Sequence, residues 1–306
     1  MKLDYRLSVN FTPLHEFISS LHTYICSKSY KKIDLAFTWV KDTERRLSPE
    51  LTRLLELTEV NGDWRHMYLL AMICPGGAEC PEDAIQWIEG HSVGDLYELL
   101  AGYGNQFPED MDAFRSHALR LFTAWNEEYF QYVDPEILNA LRLEAGRRQT
   151  ALPTMTPAEF IDDTTNGLMF KPINGLEEII LVPQYHFQPL NVIWHFKKVT
   201  MCHYASRQYP NETDEFSPHH YRMIRSLGEM SRLKILRFLH QGPHSFIEIV
   251  RHLKLSKGIT HDHLFKLRSA GFIHAHFEGE VLTEYSLRPK ALHEMNDILF
   301  RYVEGR

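Results

Sequence analysis

The chain has 306 residues, 44% of them hydrophobic and 24% charged, with a net charge of −7. That length allows two domains with sizeable cores. The acidity taken alone argues against a nucleic-acid binder, no apolar run approaches the roughly 20 residues that span a bilayer, and four cysteines do not make a disulfide scaffold.

Met1-Lys2-Leu3-Asp4-Tyr5-Arg6 lacks the apolar core of a signal peptide, so a cytoplasmic location is expected. Leu3, Tyr5, Leu7 and Val9 alternate with polar residues and predict an opening strand. Pro13 starts a helix that carries Leu14, Phe17, Ile18, Leu21 and Ile25. Ser48-Pro49-Glu50 starts another, with Leu51, Leu54 and Leu55. The segment Cys74 to Cys80 reads as a loop, and Pro81 opens the next helix. His91-Ser92-Val93-Gly94-Asp95 caps a short helix that ends at Gly102 and Gly104. A long aromatic helix is predicted from Met111 to Val133, and Asp134-Pro135-Glu136 starts one more, to about Arg148.

Thr156-Pro157-Ala158-Glu159 opens a further helix. Beyond Gly167 the texture changes, and strands are expected over 168–171, 178–182, 192–196 and 200–204. They would form one small sheet with the opening strand. The polar, proline-bearing stretch 207–218 reads as a linker. The expected domains are therefore 1–206, α-rich, and 219–306.

Charge is not spread evenly. Residues 219–306 hold 14 Lys+Arg and 9 Asp+Glu, a surplus of +5, while residues 1–218 carry −12. Ten of the 18 histidines also lie in the last segment. A mildly basic module on an acidic body fits an electrostatic footprint on DNA.

In that module a helix near Ser231–His240 buries Ile235, Leu236 and Leu239. Gly242-Pro243 then breaks the chain, and Ser245 caps a helix with Phe246, Ile249, Val250 and Leu253 on one face. Ser256 caps a second helix, which buries Thr260, His263, Leu264 and Leu267 and ends near Gly271. Its other face carries Lys257, Gly258, His261, Asp262 and Phe265. Residues 272–277 and 281–287 alternate like strands about the turn Glu278-Gly279-Glu280. Arg288-Pro289 starts a terminal helix with Leu292, Met295, Leu299 and Tyr302 as an apolar stripe. The expected fold class is mainly α with small β elements: an α-rich N-terminal domain with a small sheet, plus a C-terminal winged helix-turn-helix.

Leu227-Gly228-Glu229-x-Ser231-Arg232-Leu233-Lys234-Ile235-Leu236 resembles the opening of ArsR-type transcriptional regulators. The run from Leu255-Ser256 to Leu264, with Leu267-Arg268-x-Ala270-Gly271-Phe272-Ile273, resembles their recognition helix and its exit. The resemblance covers about 80 residues. It implies a homodimer that binds double-stranded DNA and represses or activates transcription, with self-association through the terminal helix. The residues expected to meet DNA are Ser245, Ser256, Lys257, Gly258, His261, Asp262, Phe265 and Arg268. Those expected to dimerise are Leu292, Met295, Leu299 and Tyr302. Asp262 can accept from cytosine N4 but repels phosphate. Asp262 and the acidic wing tip depart from the family, which speaks against strong phosphate contact there.

No metal, cofactor or catalytic set is expected. Cys74-x5-Cys80 lacks zinc spacing. His261 and His263, two residues apart, point to different faces of a helix. His293, Glu294 and Asp297 form only a partial ligand set. GxGxxG, P-loop, HExxH and GxSxG patterns are absent from the sequence. Trp87, Trp125, Tyr129, Phe130 and Trp194 can line an apolar pocket but read first as core. A small-molecule effector or a partner is expected for the N-terminal domain. An enzyme in that domain, or a winged helix used only for protein contact, are the alternatives.

Overall fold

The computed structural model describes residues 5–26, 31–35, 37–75, 80–104, 106–210 and 216–305. They form two compact units. One holds the residues up to Gln149 together with Gly175–Pro210; the other holds Thr150–Asn174 together with the segment that follows Pro210. The expected boundary at 206/207 therefore misses a crossing: residues 150–174 pack with the C-terminal segment. Of the expected linker, 211–215 lie outside the described residues.

The first unit runs through β1 (Arg6–Val9), α1 (Pro13–Ile25), α2 (Phe37–Glu44), α3 (Pro49–Glu56), α4 (Trp64–Ile73), α5 (Pro81–Gly90), α6 (Val93–Ala101), α7 (Met111–Glu128) and α8 (Pro135–Ala151). The chain then gives α9 (Pro157–Thr165) and β2 (Leu168–Phe170) to the second unit. It returns with β3 (Glu178–Gln184), β4 (Val192–Phe196) and β5 (Val199–Ala205). The sheet order is β1-β3-β5-β4, parallel except for β4 against β5.

Two differences from the sequence reading have simple causes. The helix expected to reach Val133 stops at Glu128, because Tyr129 leaves helical geometry at φ −133° and a short 3-10 turn follows. Helix α4, Trp64–Ile73, was not anticipated: it is buried almost throughout and so lacks the two-faced periodicity that marks a surface helix.

Helix α1 is the core of this unit. Pro13 fixes its first turn, and Thr12 N–H donates to His15 Nδ1 at 3.0 Å. It is buried on every side, so its polar groups need internal partners. Ser19 donates to Gln184 at 2.6 Å, and Trp125 donates to Ser20 at 3.0 Å. Glu16 accepts from the backbone N–H groups of Tyr185 and His186, and meets His186 Nδ1 at 2.5 Å. Burial lowers His15 to about 4 and His22 to about 3, which keeps both rings neutral near pH 7. Among the described residues no helix is long and apolar enough to cross a membrane.

The second unit continues with α10 (Pro218–Leu227), α11 (Met230–Leu239), α12 (Phe246–Leu253), α13 (Lys257–Ser269), β6 (Ile273–Glu278), β7 (Val281–Leu287) and α14 (Pro289–Glu304). Helix, turn, helix and hairpin make the expected winged helix. Its sheet has a third strand: β2 pairs in parallel with β6, Leu168 opposite Ala275. The strand expected over 168–171 is therefore present but joins this sheet.

One buried cluster holds α9 and β2 to the winged helix. Arg288, only 3% exposed, donates Nε to Asp162 Oδ1 at 2.7 Å and Nη1 to the Gly271 carbonyl at 3.2 Å. His274 Nε2 meets the same Asp162 oxygen at 3.0 Å. Gly271 has φ +78°, a backbone conformation that strains other residues, and a Cβ there would fall 2.2 Å from Asn166 Oδ1, so the Asn166 side chain would also have to move. Gly167 is similarly constrained by the Ile273 carbonyl, 2.9 Å from its would-be Cβ at φ +107°.

Burial alone pushes the Asp162 carboxyl up, but the bonds from His274 and Arg288 outweigh it and hold it below the ordinary carboxylate range. Its contribution is then present above the unfolded value of about 3.9 and is lost as pH falls through the lowered folded value. Asp162→Asn is expected to cost roughly 2–4 kcal/mol at neutral pH by leaving buried Arg288 with only the longer ion pair to Glu294, 3.7 Å away. Urea denaturation followed from pH 7 to pH 3 checks this, with the variant's cost shrinking in acid. Gly271→Ala is expected to cost at least about 2 kcal/mol from strain and overlap, read by the same method.

Candidate nucleic-acid interface

The helix-turn-helix is built by local rules. Gly228 ends α10, and Glu229 caps α11 by accepting from Ser231 N–H at 3.0 Å and Arg232 N–H at 3.3 Å. Arg232, 8% exposed, folds back to the Arg225 carbonyl at 3.2 Å and closes the corner between the two helices. Ser245 and Glu248 form a capping box on α12, with Ser245 Oγ donating to Glu248 at 2.7 Å. Those bonds from Ser245 hold the Glu248 carboxyl below its ordinary range. Lys254 ends α12 in the left-handed region at φ 55°, and Ser256 Oγ then accepts from Ile259 N–H at 3.3 Å to start α13.

The buried side of α13 is Thr260, Leu264 and Leu267, packed with Ile235, Leu236, Leu239 and Ile249 of the two helices before it. At its N-terminal end Ser256, Lys257 and Gly258 are exposed, and so are His261 and Asp262 further on. The spacing of 257, 258, 261 and 262 places them on one face, and N–H groups of a free helix end point outward there. Gly258 has open space around a would-be Cβ, so close backbone approach is unobstructed. His263 is half-buried on the other side, with Nδ1 3.5 Å from Glu229, so the two histidines do face apart.

Three expected contacts sit differently in the structure. Arg268 is half-buried, and burial lowers its pKa against the opposing pull of Tyr285; it is a core-edge residue rather than a surface cation. Ser245 is half-buried and committed to its capping box. Phe265 is half-buried. Two residues of the outward face were missed. Ile259 is 50% exposed beside Lys257, and Lys266 pairs with Asp262 at 2.6 Å. The i, i+4 spacing of Asp262 and Lys266 was a readable signal for that pair.

The wing tip is Glu278, Gly279 and Glu280, with Gly279 at φ 62° making the turn. Both glutamates are exposed. At the wing's base Glu284 is neutralised by Lys171 of the strand-β2 edge at 2.6 Å, and the bond lowers the Glu284 pKa.

On α14, Leu292 and Met295 are half-buried, in contrast to the exposed stripe expected, because the helix lies against α10. The exposed apolar side chains are at its last turns: Leu299, Phe300, Tyr302 and Val303. Tyr302 also contacts Phe216, ring centroids 4.8 Å apart. Among the described residues no group of three or more His, Cys, Asp or Glu is placed to hold a metal ion.

This geometry is that of a winged helix-turn-helix, and comparison places it more closely. Residues 230–275 match the family described as bacterial regulatory protein, arsR family. A solved structure, a possible transcriptional regulatory protein (fragment 1–100) from Mycobacterium bovis, is 22% identical over 29% of this chain and 92% of its own, with a TM-score of 0.23. No curated protein matches the chain.

Asp262 is both an exposed negative charge and the tether of Lys266. Asp262→Asn is expected to tighten binding to an unrelated duplex by about three- to fivefold, since it removes one repulsion and frees one cation. Fluorescence anisotropy with a labelled random-sequence duplex measures it; unchanged or weaker binding would contradict the repulsion.

Proposed function

We propose that the protein is a DNA-binding transcriptional regulator of the ArsR type. It acts as a homodimer, with the N-terminal end of α13 in the major groove and the α-rich unit sensing a small molecule or partner. The observation that carries the reading is the exposed, capped start of α13, where Lys257, Gly258 and His261 face outward from a buried Thr260–Leu264–Leu267 core. Recognition helices present that end to base edges. Lys257 suits a guanine edge or a phosphate, His261 a base edge, and Ile259 a thymine methyl.

The reading is non-enzymatic. A relay in the α-rich unit that resembles acid–base machinery runs from Glu16 to His186 to Tyr129, whose oxygen lies 2.7 Å from His186 Nε2 and accepts from Trp39 Nε1 at 2.9 Å. Glu16 and His186 are almost wholly buried, which favours a structural role.

A single winged helix reads a short half-site, so specificity calls for a two-fold pair. Leu299, Phe300 and Val303 offer the apolar surface for it. A dimer mass is expected by light scattering, with Phe300→Asp shifting it to the monomer; a monomer at every concentration would count against the assembly.

On a selected operator, Lys257→Ala and His261→Ala should each weaken binding by about 1–3 kcal/mol while leaving stability within about 0.5 kcal/mol. Leu264→Ala should instead cost about 3 kcal/mol of stability through a core cavity. Operator affinity equal to wild type in both surface variants would remove α13 as the reader. With an acidic wing, the slope of log K against log salt should correspond to fewer than about six phosphates.

A further inference from the structure

Five of the eight histidines in the α-rich unit are buried, whereas all ten in the second unit are exposed or half-buried. An imidazolium at a solvated position costs little, and one inside a core costs a great deal. Three of the buried rings belong to one layer, made by α1, α4 and β5. His15 and His203 have ring centroids 5.6 Å apart, His203 and Tyr68 4.9 Å, and Tyr68 and His22 5.6 Å.

Hydrogen bonds fix the protonation state of two of them. Thr12 N–H donates to His15 Nδ1 at 3.0 Å, and Trp64 Nε1 donates to His22 Nδ1 at 3.1 Å. Backbone and indole N–H groups only donate, so each Nδ1 must carry a lone pair. Charging His15 therefore sets N–H against N–H at the start of α1, and charging His22 does so between α1 and α4. His203 is 0% exposed, and neither of its ring nitrogens has a hydrogen-bond partner among the described residues. Burial, and then the facing His15 and His22, hold its pKa down.

The titratable groups on the surrounding elements are neutral or already engaged. Burial raises the pKa of Tyr68 on α4, of Cys202 and Tyr204 on β5 and of Tyr129 beyond α7. Cys26, just past α1, is a free thiol. Glu16 of α1 accepts from two backbone N–H groups beyond β3 and meets His186, and Glu82 of α5 accepts from Asn126 of α7.

We propose that the α-rich unit is a proton-operated switch: in mild acid His15, His22 and His203 take up protons, and the layer of α1, α4 and β5 opens while the winged helix-turn-helix stays folded. All three folded values are lowered, His15 to about 4 and His22 to about 3, from an unfolded value of about 6.5. Folding is therefore undiminished above about pH 6.5 and weakens as pH falls from there through the folded values. The switch acts on the unit given the sensing role above; only its use in transcription rests on that reading.

All five tryptophans lie in this unit, so their fluorescence follows it alone. Urea unfolding of the full chain, read in that way without DNA from pH 8 to pH 5, is the test. Between pH 6.5 and 5 the folding constant should fall at least about a hundredfold per pH unit, since each of the three rings contributes up to about tenfold. His203→Phe removes a ring that makes no hydrogen bond among the described residues, and should make the slope shallower by about tenfold per unit. His22→Gln keeps an acceptor for Trp64 without a titrating ring and should do the same, so it carries the test if His203→Phe fails to fold. Hydrogen exchange at pH 5.5, corrected for the pH dependence of the chemical step, should show protection lost in α1 and α4 and kept in α11 to α13. A shallower wild-type slope, an unchanged slope in a folded variant, or loss of protection in both units together would each overturn the proposal, and none of them touches the DNA-binding reading.

Discussion

The second unit depends on one buried guanidinium. Arg288 stands at the junction of β7 and α14, yet its bonds reach back to Asp162 of α9 and to the carbonyl of Gly271, the residue that ends the α13 exit turn. A lone buried arginine would be costly, and Asp162 supplies both the opposite charge and, through His274, a link to the wing strand β6. The cluster therefore ties four things in one place: the upstream helix α9, the end of α13, the wing and the start of the terminal helix. Gly271 and Gly167 keep backbone out of its way at positive φ.

That tie explains the path of the chain. Among the described residues it passes between units after Gln149, after Asn174 and after Pro210. Residues 150–174 thus belong structurally to the winged helix while being flanked on both sides by the α-rich unit. The added strand β2 covers the edge of β6 that a bare hairpin would leave unpaired. The buried face of α13 is Thr260, Leu264 and Leu267, while the start of the helix, Ile259 included, stays exposed.

Much of the winged helix was legible in the sequence because its signals are local. Caps at Ser245 and Ser256, the break at Gly242-Pro243 and the glycine at 271 each act within a few residues of where they stand. The motif about Glu229 and Arg232 proved to be a helix cap and a corner bond. What could not be read was long-range. Asp162 and Arg288 are far apart in sequence, and nothing in either neighbourhood announces the other. The pairing of β2 with β6 was missed for the same reason, and placing strand 168–171 in the other sheet followed from sequence proximity. Arg268 looked like a surface cation because residue type, without the fold around Tyr285, says nothing of depth. Helix α4 was hidden by being buried almost throughout, which removes the two-faced pattern of a surface helix.

The central claim is that the exposed start of α13 reads duplex DNA in a two-fold assembly. The most direct measurement is selection of bound fragments from a genomic library by the purified full chain, followed by sequencing. The account predicts enrichment of pseudo-palindromic sites whose half-sites lie about one helical turn apart, roughly 10 base pairs centre to centre. Recovered fragments with no sequence in common, at a yield no better than bulk DNA, would contradict it.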